Sequence, residues 1–148
     1  MKIDRRKLIK SLFALTATLA FPRLLFAARP DKAFEATSAD QAIADLLGAT
    51  PVDSDKVKMK IPDIAENGAV VPVTISTELE NVESISVVVD NNPTPLAASF
   101  DMSPKTVPNI SVRIKMGQSS MVRAIVKADG NLYSTAKEVK VTIGGCGG

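Results

Sequence analysis

The chain has 148 residues, enough for one domain, and is 45 % hydrophobic but only 4 % aromatic, with no tryptophan, so its core has to be aliphatic. It holds no histidine, which excludes the usual general base, the commonest metal ligand and every histidine-dependent nucleophile. A single cysteine excludes an internal disulfide and a cysteine-ligated zinc site, and the formal net charge of +2 is small.

The first 28 residues read "MKIDRRKLIKSLFALTATLAFPRLLFAA". Arg5 and Arg6 are followed by Lys7, Leu8, Ile9 and Lys10, and then by an apolar run from Leu12 to Phe21. A run of about ten residues is too short to cross a bilayer, which takes about 20. Pro22 and Arg23 end the run, so no stable membrane insertion is expected. The order predicts an export signal over 1–28, and the adjacent arginines suit the twin-arginine route to the periplasm. An amphipathic N-terminal anchor is the alternative. Ala27 and Ala28 suit a cleavage site, whereas Leu25 and Phe26 are large for its −3 position. Without residues 1–28 the chain has 12 basic and 15 acidic residues, which excludes a nucleic-acid partner. The twin-arginine route takes folded cargo. Nothing in the chain binds a cofactor, so a co-exported partner subunit is the expectation.

From Arg29 to Thr50 the sequence is helical in character. In "SADQAIADLLG", Ser38 and Gln41 have capping-box spacing, Ile43, Leu46 and Leu47 share a face, and Gly48 with Pro51 marks the stop. One short packing helix is predicted.

Beyond Pro51 the period becomes that of strands. "VKMKI", "VVPVTIST", "VESISVVVD", "LAASFDM", "NISVRIKM", "MVRAIVKAD" and "LYSTAKEVKVTI" alternate apolar and polar residues to differing degrees. Pro72 marks an edge strand or a bulge. Turn signals separate the runs at Asn67-Gly68, Asn91-Asn92-Pro93, Pro104, Gly117 and Asp129 to Asn131. Seven short strands spaced this way predict an all-β fold, an immunoglobulin-like antiparallel β-sandwich preceded by a short helix, the two together forming one domain over 29–143. A run such as "SVVVD" carries more aliphatic surface than one core needs, so an exposed apolar face for a partner subunit is expected.

The last strand predicts anchoring as far as Ile143. The chain then ends "GGCGG": Gly144, Gly145, Cys146, Gly147 and Gly148. Four glycines resist ordering and leave the thiol without neighbouring side chains, so 144–148 is expected to be a flexible arm. No Lys, Arg or His lies within the last seven residues, so nothing local lowers the thiol pKa from about 8.5. Cys146 is therefore a poor catalyst and a good attachment point. Plainer readings are a loose tail with an incidental cysteine, and an intermolecular disulfide staple. Prenylation is disfavoured, because the cysteine stands third from the end.

Three stretches resemble the SoxY family of the bacterial Sox thiosulfate-oxidising system. They are the twin-arginine leader, "PDIAENGAVVPVTI" at Pro62–Ile75, and the terminal "GGCGG". The resemblance implies a carrier that is not itself an enzyme and that pairs with a SoxZ-like subunit as a heterodimer. It implies that a haem enzyme oxidatively joins thiosulfate to Cys146 and that a manganese hydrolase then releases sulfate. In some organisms a molybdenum sulfane dehydrogenase oxidises the remaining sulfur. Asp63 and Glu66 in the middle stretch are read as solvated acids beside a turn rather than as a catalytic pair. Two other classes compete. A ubiquitin-like sulfur carrier also ends in Gly-Gly, but it expects a cytoplasmic β-grasp fold. The other is a plain exported sandwich serving as a binding or adhesion module.

Overall fold

A computed structural model describes residues 30–142. Two helices come first, α1 (Asp31–Glu35) and α2 (Ala39–Leu47). Nine strands follow: β1 (Val52–Asp53), β2 (Val57–Lys60), β3 (Ile64–Ala65), β4 (Val71–Thr77), β5 (Val82–Val89), β6 (Leu96–Asp101), β7 (Asn109–Ile114), β8 (Ser120–Ala128) and β9 (Asn131–Val141). The larger sheet has the order β1-β9-β8-β5-β6, with β3 also joined to β9, and the smaller has the order β2-β4-β7. The fold is the expected β-sandwich, and each of the seven alternating runs forms one of the seven longer strands. The additions are β1 and β3, two residues each, which pair with β9 in parallel.

Alternation decides which side chains fill the space between the sheets. Val57, Val73, Ile75, Ile85, Val87, Val89, Val122, Ala124, Val126 and Val139 form the centre of one cluster, each at most 3 % exposed. The expected aliphatic core is what the described residues contain. β8 and β9 are joined by a two-residue turn at Asp129 (φ 49°) and Gly130 (φ 73°), between the paired residues Ala128 and Asn131. Positive φ at both central positions matches the twist of the strands, and an Asp-Gly pair tolerates it. The Gly130 amide donates to Glu83 Oε1 at 2.8 Å and Lys127 pairs with Glu83 at 2.7 Å. These contacts, Lys127 foremost, hold the Glu83 carboxyl below the usual range.

The other face of the larger sheet is covered as well. Val88, Leu96 and Ile125 point away from the sandwich core and pack on Ala33, Ala36, Ala39, Ala42 and Ile43 of the helical segment. The Ser38 hydroxyl accepts from the Gln41 amide at 3.3 Å, and the Gly48 amide closes α2 on the Ala44 carbonyl at 2.9 Å. Both caps are those the sequence signals. The valines of "SVVVD" therefore serve two cores: Val87 and Val89 face the smaller sheet, and Val88 faces the helices. This corrects the expectation drawn from that run. Its surplus aliphatic surface is buried within the chain and is not an exposed face.

Candidate functional site

The sequence directs attention to the end of the sandwich from which the C-terminal residues leave. Gly144, Gly145, Cys146, Gly147 and Gly148 lie outside the described residues, as do Ile143 and the signal residues Arg5 and Arg6. The site that can be built is the root of the tail, and three segments fix it.

The first is β9 itself. Val139 is fully buried, Lys140 is exposed and Val141 packs against the main core, so the alternation holds to the last strand residue. The second is the stretch around β3. Ile64 pairs with Lys140 and Ala65 with Val141. The Lys140 amide donates to the Asp63 carbonyl at 2.9 Å, and the Thr142 amide donates to the Ala65 carbonyl at 3.0 Å. Lys137 ties the same stretch down at two points, donating to the Ile61 carbonyl at 3.0 Å and pairing with Asp63 Oδ1 at 2.8 Å. The Asp63 side chain is 83 % exposed, so this ion pair adds little stability and acts mainly on geometry.

Gly68 closes this second segment, a strap over residues 62–70 that runs beside β9. Its carbonyl accepts from the Met116 amide at 2.7 Å, and a Cβ at this position would overlap the Met116 carbonyl oxygen and touch Val141 Cγ1 at 3.0 Å. Its φ is not positive, so the glycine is required by close approach of two backbones. Asn67 supplies the expected turn chemistry, accepting from the Ala69 amide at 2.9 Å to open a 3-10 turn at Gly68–Val70.

The third segment is a pair of loops braced by two asparagines. Asn91 Nδ2 donates to the Ser119 carbonyl at 3.0 Å and the Asn91 amide donates to Ser120 Oγ at 2.9 Å. Asn92 Nδ2 donates to the Lys115 carbonyl at 2.7 Å while its Oδ1 accepts from the Gly117 amide at 3.0 Å. Ser119 Oγ in turn accepts from the Val141 amide at 2.9 Å. The brace therefore reaches the last strand residue before the tail. A shallow depression of about 440 Å³ lies beside these loops, lined by Asn92, Pro93, Thr94, Ala97, Lys115 and Gly117.

What the root offers is mechanical. Asp63 is engaged by Lys137, and Glu66 is exposed on the strap, which agrees with their reading as solvated acids. Among the described residues no group of three or more acidic or thiol side chains could hold a metal ion. The most enclosed charged cluster lies on the helix-covered side. There Arg123 donates to Asp90 Oδ2 from Nη2 at 2.7 Å and from Nε at 3.1 Å, and its Nη1 lies 3.6 Å from Asp40 Oδ1. The Asp90 hydrogen bond raises the Arg123 pKa, and the cluster ties α2 to β8. No helix of the described residues is long and apolar enough to cross a membrane.

A family model described as "Sulfur oxidation protein SoxY" matches residues 43–146, a span that runs from within α2 to the cysteine. The chain belongs to the SoxY family. Among solved structures, the sulfur carrier protein SoxY from Chlorobium limicola f thiosulfatophilum is 42 % identical, with a TM-score of 0.64, over 70 % of this chain and 96 % of that one. A superoxide reductase (neelaredoxin) from Ignicoccus hospitalis matches at a TM-score of 0.53 with 17 % identity, over 59 % of this chain and 80 % of that one. At that identity the likeness shows the fold alone. Curated protein sequences gave no match. In this SoxY-family chain, the strap at 62–70 belongs to the stretch that carries the sequence resemblance. Its contacts with β9 are what the sequence by itself did not reveal.

Proposed function

We propose that this protein is the periplasmic sulfur-compound carrier of a thiosulfate-oxidising system, with Cys146 as the covalent attachment site and Gly144, Gly145, Gly147 and Gly148 as its carrier arm. One observation carries the reading: the only cysteine of a SoxY-family chain stands between two pairs of glycines and is the last residue of the span matched by the family. The Chlorobium relative, a sulfur carrier protein, supports the same assignment.

The chemistry asks little of this chain beyond a presentable thiol. Joining the Cys146 sulfur to the outer sulfur of thiosulfate removes one thiol proton and two electrons. A haem-containing conjugating enzyme takes the electrons. Hydrolysis by a manganese enzyme then breaks the sulfur–sulfone bond, releases sulfate and leaves one sulfane sulfur on Cys146. A molybdenum sulfane dehydrogenase is the candidate for oxidising that sulfur. Each of these proteins works on a substrate that remains attached, so the carrier needs a defined root and a thiol free of steric neighbours. A SoxZ-like subunit completes a heterodimer that leaves the cytoplasm by the route read from Arg5 and Arg6.

The test is intact-mass spectrometry of protein from cells grown on thiosulfate. The unaltered chain should carry added sulfur-containing mass that a reductant removes, and Cys146→Ser should carry none. Because a hydroxyl cannot form the sulfur–sulfur bond, loading should fall below detection while the urea midpoint stays unchanged. Recovery of a disulfide-linked dimer as the dominant form, without sulfur adducts, would favour the staple reading.

A further inference from the structure

The length of the tail decides which surface lies against any protein that works on Cys146. Thr142 is held to the Ala65 carbonyl at 3.0 Å, and four residues on is Cys146. Even fully extended, that length of chain spans about 14 Å. A pocket that receives the thiol therefore opens within about 15 Å of the root, and its rim meets the surface there.

The strap beside β9 is part of that surface. Its inward residues are buried, Ala65 at 5 % exposure and Val71 at 1 %, while Ile64 is 57 % and Val70 49 % exposed. Two of the five large apolar side chains exposed among the described residues thus belong to one short segment at the root. Its backbone is fixed by Lys137, by the pairing with Lys140 and Val141, and by the tight approach of Gly68 to Met116. A pre-ordered apolar pair loses little entropy on docking. Val107, the most exposed of the five at 76 %, lies at the far end of β4, where the Thr77 amide donates to the Pro108 carbonyl.

We propose that Ile64 and Val70 form an apolar collar at the root of the tail that docks against the apolar rim of the thiol-receiving pocket of the enzyme that loads thiosulfate onto Cys146. The proposal rests on the carrier function and adds a recognition surface to it. The collar would make entry of the thiol and contact of the two proteins a single event, so a short arm becomes a means of selection. Small thiol reagents would bypass it.

The experiment uses the protein as isolated from the periplasm, with its partner subunit, and the conjugating enzyme of the same organism. Loading is followed by mass spectrometry over a range of carrier concentrations for the unaltered protein, for Ile64→Ser combined with Val70→Ser, and for Val107→Ser. The collar variant should raise KM for the carrier about tenfold, the equivalent of about 1.4 kcal/mol of docking, and leave kcat within about twofold. Alkylation of Cys146 by a small reagent should be unchanged in all three, and Val107→Ser should load normally. An unchanged KM, or an equal rise in Val107→Ser, would overturn the collar. Loss of the partner subunit from the double variant would also overturn it, by assigning Ile64 and Val70 to the subunit interface. A double variant with lowered thermal stability is replaced by the single changes Ile64→Thr and Val70→Thr, on which the same outcomes decide. No loading of the unaltered protein would sink the carrier reading itself, and the collar with it.

Discussion

Gly68 sits where two backbone segments meet, its carbonyl accepting from the Met116 amide at 2.7 Å. Next to Asn67 it reads as turn chemistry, and Asn67 does open a turn. The glycine itself is demanded by something no local pattern displays, namely the Met116 carbonyl pressed against its Cα. Met116 is 48 positions away in sequence, so only the folded chain brings the constraint into view. Gly68→Ala should destabilise the domain by about 1–3 kcal/mol, because two backbone segments must separate and neither is a pliable side chain. Urea denaturation measures the loss, and a change below about 0.5 kcal/mol would mean that the strap yields freely. The tail differs in kind. The expectation for Cys146 and its glycines rests on chemistry written locally, with one thiol and no neighbouring side chains.

At the scale of elements, length governed what the sequence disclosed. Runs of six to eleven residues such as β5, β8 and β9 show their period, whereas two-residue pairings such as β1 and β3 have no period to show. Their place is set by β9, which lies far along the chain. The helical segment is a mixed case. Ser38 and Gly48 announce the ends of α2, and Ile43 announces its apolar face, yet nothing local says that this face meets Val88 and Ile125. A strand apolar at consecutive positions is compatible with an exposed interface or with a third layer, and here the third layer accounts for it. Ile43→Ala removes the largest buried α2 side chain from this small cluster, and the expected cost is about 2 kcal/mol, at the low end for such truncations. Amide exchange in α2 should rise with it, while exchange in β5 and β8 keeps pace only with global unfolding. Equal acceleration everywhere, with no local excess in α2, would show that the helices and the sandwich open as one unit.

For the whole molecule, the proposed export by a twin-arginine signal sets what has to fold first. The described domain has its own aliphatic core, covered on the helix side by its own chain, so it reads as a unit able to fold before export. A twin-arginine signal suits such cargo, and a partner without a leader could cross with it only if the two had already joined. Arg5→Lys combined with Arg6→Lys keeps the positive charge of the leader while removing the paired guanidinium groups. Cell fractionation should then find this chain, and the SoxZ-like subunit with it, retained in the cytoplasm at least about tenfold over the unaltered strain. The partner's behaviour is the more telling half of that result. Retention of both chains means that the partner travels on this leader. Retention of this chain alone means a separate route for the partner and assembly after export. Normal periplasmic accumulation of the lysine variant would remove the twin-arginine reading, leaving the N-terminal segment to be explained as a general export signal or an anchor.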